Sequence, residues 1–292
     1  MDLVEKIIMN PWLTAYEYTH GEYGAGEVAN ALRTLLLQPY MSKKYLAGLE
    51  FLKALKSQLP PNEFMGILGR VLDEKLLSKL ISETEPRNII KAYKENYGAA
   101  MGLITVLEIL PVLRKTELLI QRIIEIIGLI RGEIGEDSKA HELCRALIYG
   151  PIASIPPGKL LPVIEEIMKL PGTPGCLMGK IDFLTAVPDI YPPKMLQESR
   201  ETIEELGDLL HNIAEELLVL IEKDPDTAVD AYHQLGLFNT RMNALCRMLG
   251  DWTSCRIMKE KGGETLARAL EAIGKILVMI NEADNSSYNT SS

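Results

Sequence analysis

The sequence has little of what catalytic and metal-binding proteins usually need. Its 292 residues include only four cysteines, four histidines and two tryptophans. The cysteines show no CxxC spacing and no nearby histidine pair, which argues against a zinc module and fits a reducing cytoplasm. Patterns of a P-loop, a nucleophile elbow, a zinc protease helix and an EF-hand are all missing. We therefore predict no cofactor and no catalytic residue, and a non-enzymatic protein is favoured over an enzyme.

Long apolar runs are also missing. Charged residues interrupt each run well before the roughly 18 residues of a membrane-spanning helix. The N-terminal stretch Asp2-Leu3-Val4-Glu5-Lys6 has acids where an export signal has a basic region, so we expect a cytoplasmic protein. With 47% hydrophobic and 24% charged residues, the composition is typical of a globular chain. Frequent isoleucine and rare glutamine are compatible with a thermophilic source.

Positive charge is scarce, and the net charge of −9 is unevenly distributed. Nine acids stand against three bases between Tyr191 and Asp224, which gives this segment −6. Five bases stand against two acids between Arg241 and Lys261, which gives +3. The acidic total disfavours general nucleic-acid binding, because cations are needed to displace counterions from phosphate. The basic segment 241–261 keeps a nucleic-acid-associated protein as one alternative.

Proline pairs divide the chain at three similar points, in Leu59-Pro60-Pro61, Ile155-Pro156-Pro157 and Tyr191-Pro192-Pro193. A proline is tolerated at the first position of a helix and pushes the residue before it out of the helical region, so each pair ends one helix and starts the next. A weaker copy without prolines follows Leu113. The resulting helix pairs of about 40 residues resemble HEAT-like or armadillo-like units in architecture. The alternative is an irregular helical domain.

Nearly every segment has a helical period, and no segment has a convincing hairpin pattern. The predicted fold class is therefore all-α, with irregular antiparallel helix pairs arranged as an α-solenoid (HEAT-like) or as a multi-helix bundle. We predict an N-terminal helical array over 1–190, a C-terminal helical bundle over 191–281 that continues the array, and a disordered tail over 282–292. The predicted helices lie at about 2–9, 11–20, 26–38, 42–58, 62–82, 87–97, 118–131, 139–150, 158–170, 194–222, 226–235, 239–249 and 263–281.

The longest predicted helix, 194–222, carries an apolar seam on one side and acids on the other. The seam residues alternate spacings of three and four, as in a heptad pattern, and are Ile203, Leu206, Leu210, Ile213, Leu217 and Leu220. The opposite stripe consists of Glu204, Asp208, His211 and Glu215. We predict that this stripe binds a basic protein partner. The sequence thus indicates a helical scaffold or protein–protein interaction module, and it leaves a homo-oligomer open.

Two carboxylate–histidine spacings could instead indicate a metal site. Glu17 precedes His20 by three residues and Asp208 precedes His211 by three, a spacing that lets both side chains reach one metal ion from one helix face. A helical metalloprotein or an enzyme with a carboxylate–histidine site is therefore the second alternative. Ligands of metal-binding bundles point inward, whereas the 204–215 stripe lies opposite the apolar seam. We therefore predict no metal there.

Cys176 follows a strong helix-start signal. If Thr173 caps a helix and Pro174 is its first residue, Cys176 lies in the first turn, where the helix N–H groups lower the pKa of a thiol. No histidine lies nearby in sequence to act as a base. We therefore favour a buried, inert cysteine over a nucleophile.

Overall fold

The computed structural model describes residues 2–111, 113–135, 140–191, 200–224 and 231. Within these ranges the regular elements are all helical and none is a strand, which confirms the all-α prediction. The α-helices are α1 Leu3–Met9, α2 Pro11–Thr19, α3 Ala25–Leu36, α4 Lys43–Gln58, α5 Pro61–Val71, α6 Glu74–Glu83, α7 Pro86–Glu95, α8 Tyr97–Glu108, α9 Thr116–Leu129, α10 Ala140–Tyr149, α11 Leu161–Met168, α12 Pro174–Ile190 and α13 Arg200–Lys223.

Shorter helical turns lie next to several of these helices. A π-helical turn, Ile130–Ile134, continues α9, and 3-10 turns lie at Ile152–Ser154 and Pro157–Lys159. Apart from residue 231, the helices predicted at 226–235, 239–249 and 263–281 lie outside the described residues. The same holds for the basic segment 241–261 and the predicted tail 282–292.

Side-chain caps and prolines start most of the described helices. Asp2 Oδ1 accepts the Glu5 N–H at 2.7 Å at the start of α1, and Asn10 Oδ1 accepts the Leu13 N–H at 3.0 Å at the start of α2. Such bonds satisfy N–H groups that a helix leaves unpaired. Caps of the same kind begin α4, α6 and α8, at Ser42, Asp73 and Asn96.

The proline corners lie at helix boundaries, although the second is less regular than predicted. The first corner separates α4 from α5, which begins at Pro61. After the second corner a 3-10 turn intervenes, and α11 begins only at Leu161. The predicted helix 158–170 is thus wrong in its start, because Pro162 has no N–H to bond back to the preceding turn. At the third corner α12 ends at Ile190, and the proline pair itself lies outside the described residues.

The segment predicted as one helix over 62–82 is two helices, α5 and α6. Helix α5 ends at Val71, whose carbonyl oxygen accepts a hydrogen bond from Arg33 Nη1 at 2.9 Å. Asp73 then caps α6 by accepting the Leu76 N–H at 2.8 Å, and its carboxylate also pairs with Arg33. Both contacts favour a helix end at this point over a continuous helix. The prediction failed because Arg33 lies far away in sequence.

Helix α8 is a separate element that the sequence analysis does not predict, since no proline marks its start. Asn96 ends α7 and caps α8, where its Oδ1 accepts the Ala99 N–H at 3.1 Å. The helix packs against α4, and a Cβ added at Gly102 would lie 2.4 Å from Leu49 Cβ. Glycine at 102 therefore permits a close approach of the two helices that a larger residue would block.

We expect Gly102→Ala to lower the free energy of unfolding by about 1–3 kcal/mol, because the added methyl group overpacks the contact with Leu49. Gly66→Ala is the matched control, since Gly66 lies within α5 and a Cβ added there meets nothing within 4 Å. Alanine is the better helix former, so this control should raise stability by about 0.5–1 kcal/mol. Urea unfolding measures both changes. Shifts of the same sign for the two variants would contradict the close packing.

The chain divides into two compact units, Met1–Arg122 and Ile123–Ser292, and the division falls within α9. The predicted boundary between 190 and 191 stays a prediction, as does the choice between α-solenoid and bundle. None of the helices in the described ranges is both long enough and apolar enough to cross a membrane. The candidate site belongs to the second unit.

Candidate functional site

Helix α12 is deeply buried among the described helices of the second unit. Every residue from Gly175 to Val187 is buried, and the helix packs against α10 and α13. Two charged side chains, Lys180 and Asp182, lie within this buried stretch. Because residues two apart on a helix do not face each other, the two side chains reach different neighbours. Lys180 contacts α13, and Asp182 contacts α10.

The ammonium group of Lys180 is completely buried and makes three hydrogen bonds. Its Nζ donates to the Met168 carbonyl oxygen at 3.2 Å, to Asn212 Oδ1 at 2.8 Å and to Glu216 Oε1 at 2.6 Å. The side chain of Lys180 is 0% exposed. An ammonium has three N–H donors, so these acceptors satisfy all of them. Lys180 therefore ties the last residue of α11 and two residues of α13 to the middle of α12.

Burial acts on both partners of this ion pair. It lowers the pKa of Lys180, and it raises the pKa of Glu216, although the hydrogen bond and charge of each partner act in the opposite direction. The second carboxylate oxygen, Glu216 Oε2, is buried and has no hydrogen-bond partner among the described residues. For both groups burial is thus the largest influence on the pKa. Removing either partner would leave the other charge buried and unpaired.

The structure confirms the predicted position of Cys176 and shows that its thiol is buried. Thr173 is the N-cap of α12, Pro174 is its first residue, and Cys176 lies in the first turn, as predicted. The thiol is fully buried and donates to the Gly135 carbonyl oxygen at 3.5 Å. Burial raises the pKa of Cys176, and this effect outweighs the nearby Thr173 hydroxyl and Lys180 charge, which lower it. A thiol of raised pKa is a poor nucleophile.

The apolar seam predicted for the long helix is the buried side of α13. Its described members are all buried: Leu206, Leu210, Ile213, Leu217 and Leu220. Leu209 and Ala214 are buried as well, so the apolar face is wider than that of a two-stranded coiled coil. The side chain of Ile203 is outside the described set. This face is what fixes α13 to the rest of the second unit.

The stripe predicted to bind a partner lies at the surface of α13. Glu215 is exposed, whereas Glu204, Asp208 and His211 are half-buried. His211 Nε2 lies 3.4 Å from Glu215 Oε1, so the structure brings these two side chains together. Six acids and no lysine or arginine occur between residues 201 and 220. Of the six, Glu216 turns inward to Lys180. The surface of the helix therefore carries concentrated negative charge.

A second polar pair, between α10 and α12, was missed by the sequence analysis. His141 Nε2 lies 2.6 Å from Asp182 Oδ2, and Arg145 Nε lies 4.0 Å from the same oxygen. The His141 side chain is 26% exposed and that of Asp182 only 8%. A carboxylate in this position can orient an imidazole for proton transfer. Cys144, one turn along α10, is not a suitable nucleophile, because burial raises the pKa of its thiol.

In the first unit, Glu17 and His20 contact different partners and do not face each other. Glu17 pairs with Lys6 at 3.4 Å and accepts a hydrogen bond from the Tyr23 hydroxyl, whereas His20 Nδ1 contacts the Tyr16 carbonyl oxygen at 2.9 Å. Across the described ranges, no group of three or more histidine, cysteine, aspartate or glutamate side chains is placed to hold a metal ion. The metalloprotein alternative thus gains no support from Glu17 and His20.

A small cavity lies between α9, α10, α11 and α12. Its walls include Ile127, Cys144, Leu147 and Gly179. A Cβ added at Gly179 would lie 2.8 Å from Cys144 Cβ, so α12 approaches α10 closely here. The cavity measures about 10 Å³, roughly the space of one water molecule. It is too small to hold an organic ligand.

Comparison with known proteins finds no match for this chain among family models, curated proteins or solved structures. The function therefore has to follow from the residues themselves. One sequence feature points to Lys180 and its acceptors, namely a lysine within a long apolar helix. A lysine that is buried in such a helix requires hydrogen-bond acceptors. Asn212 and Glu216 carry no such signal, since they lie 32 and 36 residues from Lys180.

We expect the free energy of unfolding to depend on the protonation of Glu216. Burial raises the pKa of Glu216 above its ordinary value of 4.5, so the folded chain holds this proton more tightly than the unfolded chain. This tighter proton binding contributes its full share to the free energy of unfolding below a pH of about 4.5. The contribution is lost as the pH rises through the pKa of Glu216 in the folded chain. Glu216→Gln removes this titration. The stability of wild type relative to Glu216→Gln should therefore fall over that window.

Urea unfolding between about pH 4 and about pH 8 measures this difference. Glu215→Gln is the matched control, because it removes an exposed carboxylate from the neighbouring position. A stability difference between wild type and Glu216→Gln that stays constant or rises with pH would contradict the effect of burial on Glu216.

Proposed function

We propose that the chain is a non-enzymatic helical module that binds a basic protein partner on the acidic surface of α13. One observation carries this proposal: α13 is fixed on one side by its apolar seam and by the Lys180 contacts, while Glu204, Asp208, His211 and Glu215 lie on the other side. Because these contacts hold α13 in place, the carboxylates on its outer side keep defined positions. We define these four residues as the acidic stripe.

Concentrated charge of one sign favours a partner of the opposite sign. A basic surface that approaches the acidic stripe is attracted over about one Debye length, roughly 8–10 Å at physiological salt, which raises the association rate. Val219, one turn beyond Glu215, is 53% exposed. It offers an apolar contact next to the charges, as interfaces usually combine a small apolar centre with a polar rim. The structure thus suits a basic amphipathic helix or segment as partner.

We expect the triple variant Glu204→Lys, Asp208→Lys and Glu215→Lys to weaken binding of a lysine- and arginine-rich amphipathic peptide by about tenfold or more at low salt. The reversed charges repel the probe. Glu215 is exposed, and Glu204 and Asp208 are half-buried at the surface of α13, so the fold should remain. Binding is measured by calorimetry at about 50 mM and about 200 mM salt. Thermal melting followed by circular dichroism checks the fold.

The matched control reverses three carboxylates outside the stripe, Glu22, Glu95 and Glu165, which are exposed. This control changes the net charge of the chain by the same amount. It should keep most of the affinity and its salt dependence. Equal losses in the two triple variants would show that only net charge matters, and unchanged binding in the stripe variant would contradict the proposal directly.

A further inference from the structure

Helix α7 of the first unit carries positive charge in a chain that is otherwise acidic. Its exposed bases are Arg87, Lys91 and Lys94, and no acidic residue occurs between Pro86 and Lys94. We call these three bases the α7 basic stripe. The net charge of the whole chain is −9, so acids outnumber bases elsewhere in the sequence. The proposed function uses α13 of the second unit and leaves this stripe without a role.

Helical spacing places the three bases on one side of α7. Lys91 follows Arg87 by four residues and Lys94 follows Lys91 by three, so these side chains are neighbours on the helix surface. The opposite side buries Ile89 and Ile90, and the helix packs against α8. Because the burial of this apolar side fixes the rotation of α7 about its axis, the α7 basic stripe has a defined position on the first unit.

Two acids at the ends of α7 do not cancel the charge of the stripe. Glu85, the N-cap residue, pairs with Arg122, whose Nη2 lies 2.5 Å from Glu85 Oε1. Glu95 Oε1 lies 3.9 Å from Lys91 Nζ, and the two side chains are 52% and 62% exposed. Exposed ion pairs of this kind are weak. Together with Arg122 the stripe has four bases against these two acids, which leaves a net charge of +2.

We propose that the α7 basic stripe binds a short acidic segment of a protein partner. The guanidinium of Arg87 can donate two parallel hydrogen bonds to one carboxylate, and each lysine attracts a further carboxylate as a point charge. The stripe extends over seven residues, a helical rise of about 10 Å, so it matches about two turns of a partner helix. Tyr97 is 41% exposed, and its ring lies 6.2 Å from that of Tyr93 at the end of α7. It offers an aromatic contact at one end of the stripe, as is common in interfaces.

The net charge of the chain favours a short acidic segment over a long polyanion. Duplex nucleic acid and anionic membranes carry negative charge over distances far larger than the stripe, so their approach also brings them near the acids of the rest of the chain. Screening limits the attraction of the stripe to roughly 8–10 Å at physiological salt. A short acidic segment therefore meets the attraction of the stripe without most of that repulsion.

Calorimetry with the full chain and a synthetic peptide tests the proposal. The probe is an amphipathic peptide whose glutamates are spaced by three and four residues, and its binding is measured at about 50 mM and about 200 mM salt. Wild type should bind the peptide, with an affinity that falls as the salt concentration rises. The triple variant Arg87→Glu, Lys91→Glu and Lys94→Glu should lose about tenfold or more in affinity at low salt, because like charges then face each other.

The matched control reverses three exposed bases outside α7, Lys43, Lys44 and Lys75. It changes the net charge by the same amount and should keep most of the affinity. Circular dichroism and thermal melting check the fold of each variant. A second stripe variant, with glutamine at all three positions, adds no new charge and should lose part of the affinity. It serves as the test if the glutamate variant does not fold.

Wild type that fails to bind the acidic peptide at low salt would overturn the proposal. Equal losses in the stripe variants and the control would overturn it as well, since only net charge would then matter. So would tighter binding of duplex DNA or of phosphatidylserine vesicles than of the peptide through the same three bases. The variant with lysine at Glu204, Asp208 and Glu215 should still bind the acidic peptide, so the outcome here is separate from that for the basic partner of α13.

Discussion

The burial of one ammonium group constrains how the helices of the second unit meet. Lys180 has no access to water, so each of its three N–H groups must find an acceptor inside the protein. The acceptors come from the end of α11, at Met168, and from α13, at Asn212 and Glu216. A shift of α13 by one residue along or around its axis would remove the last two. The apolar seam alone is less selective, because hydrophobic contacts are not directional.

This constraint links the core of the second unit to its surface. Glu215 and Glu216 are neighbours in sequence, yet Glu216 turns inward to Lys180 and Glu215 is exposed beside His211. Because the contact of Glu216 with Lys180 sets the rotation of α13 about its axis, it also determines which carboxylates of α13 lie at the surface. The proposed binding of a basic partner depends on this division.

Local patterns made much of the fold predictable. Two of the failures were also local, since Asn96 caps α8 and Pro162 delays the start of α11, whereas the other failures depend on distant contacts. Asn10 and Pro11 start α2 through bonds within one turn, and the seam of α13 follows from its own spacing. The break between α5 and α6 was missed because Arg33 binds Asp73 across 40 residues. The position of Cys176 followed from Thr173 and Pro174, but the pKa of its thiol depends on burial by other helices. The partners of Lys180 and His141 lie on other helices, so local sequence patterns could not predict these contacts either.

A double-mutant cycle on Lys180 and Glu216 tests most directly whether their contact positions α13. The variants are Lys180→Met, Glu216→Leu and the combination, and urea unfolding measures each. Each single change should cost about 3–5 kcal/mol, because it leaves the other charge buried without its partner. The combined variant should recover much of that loss, with a coupling of about 2 kcal/mol or more. Costs that add to within about 0.5 kcal/mol would contradict the account, since independent sites behave in that way.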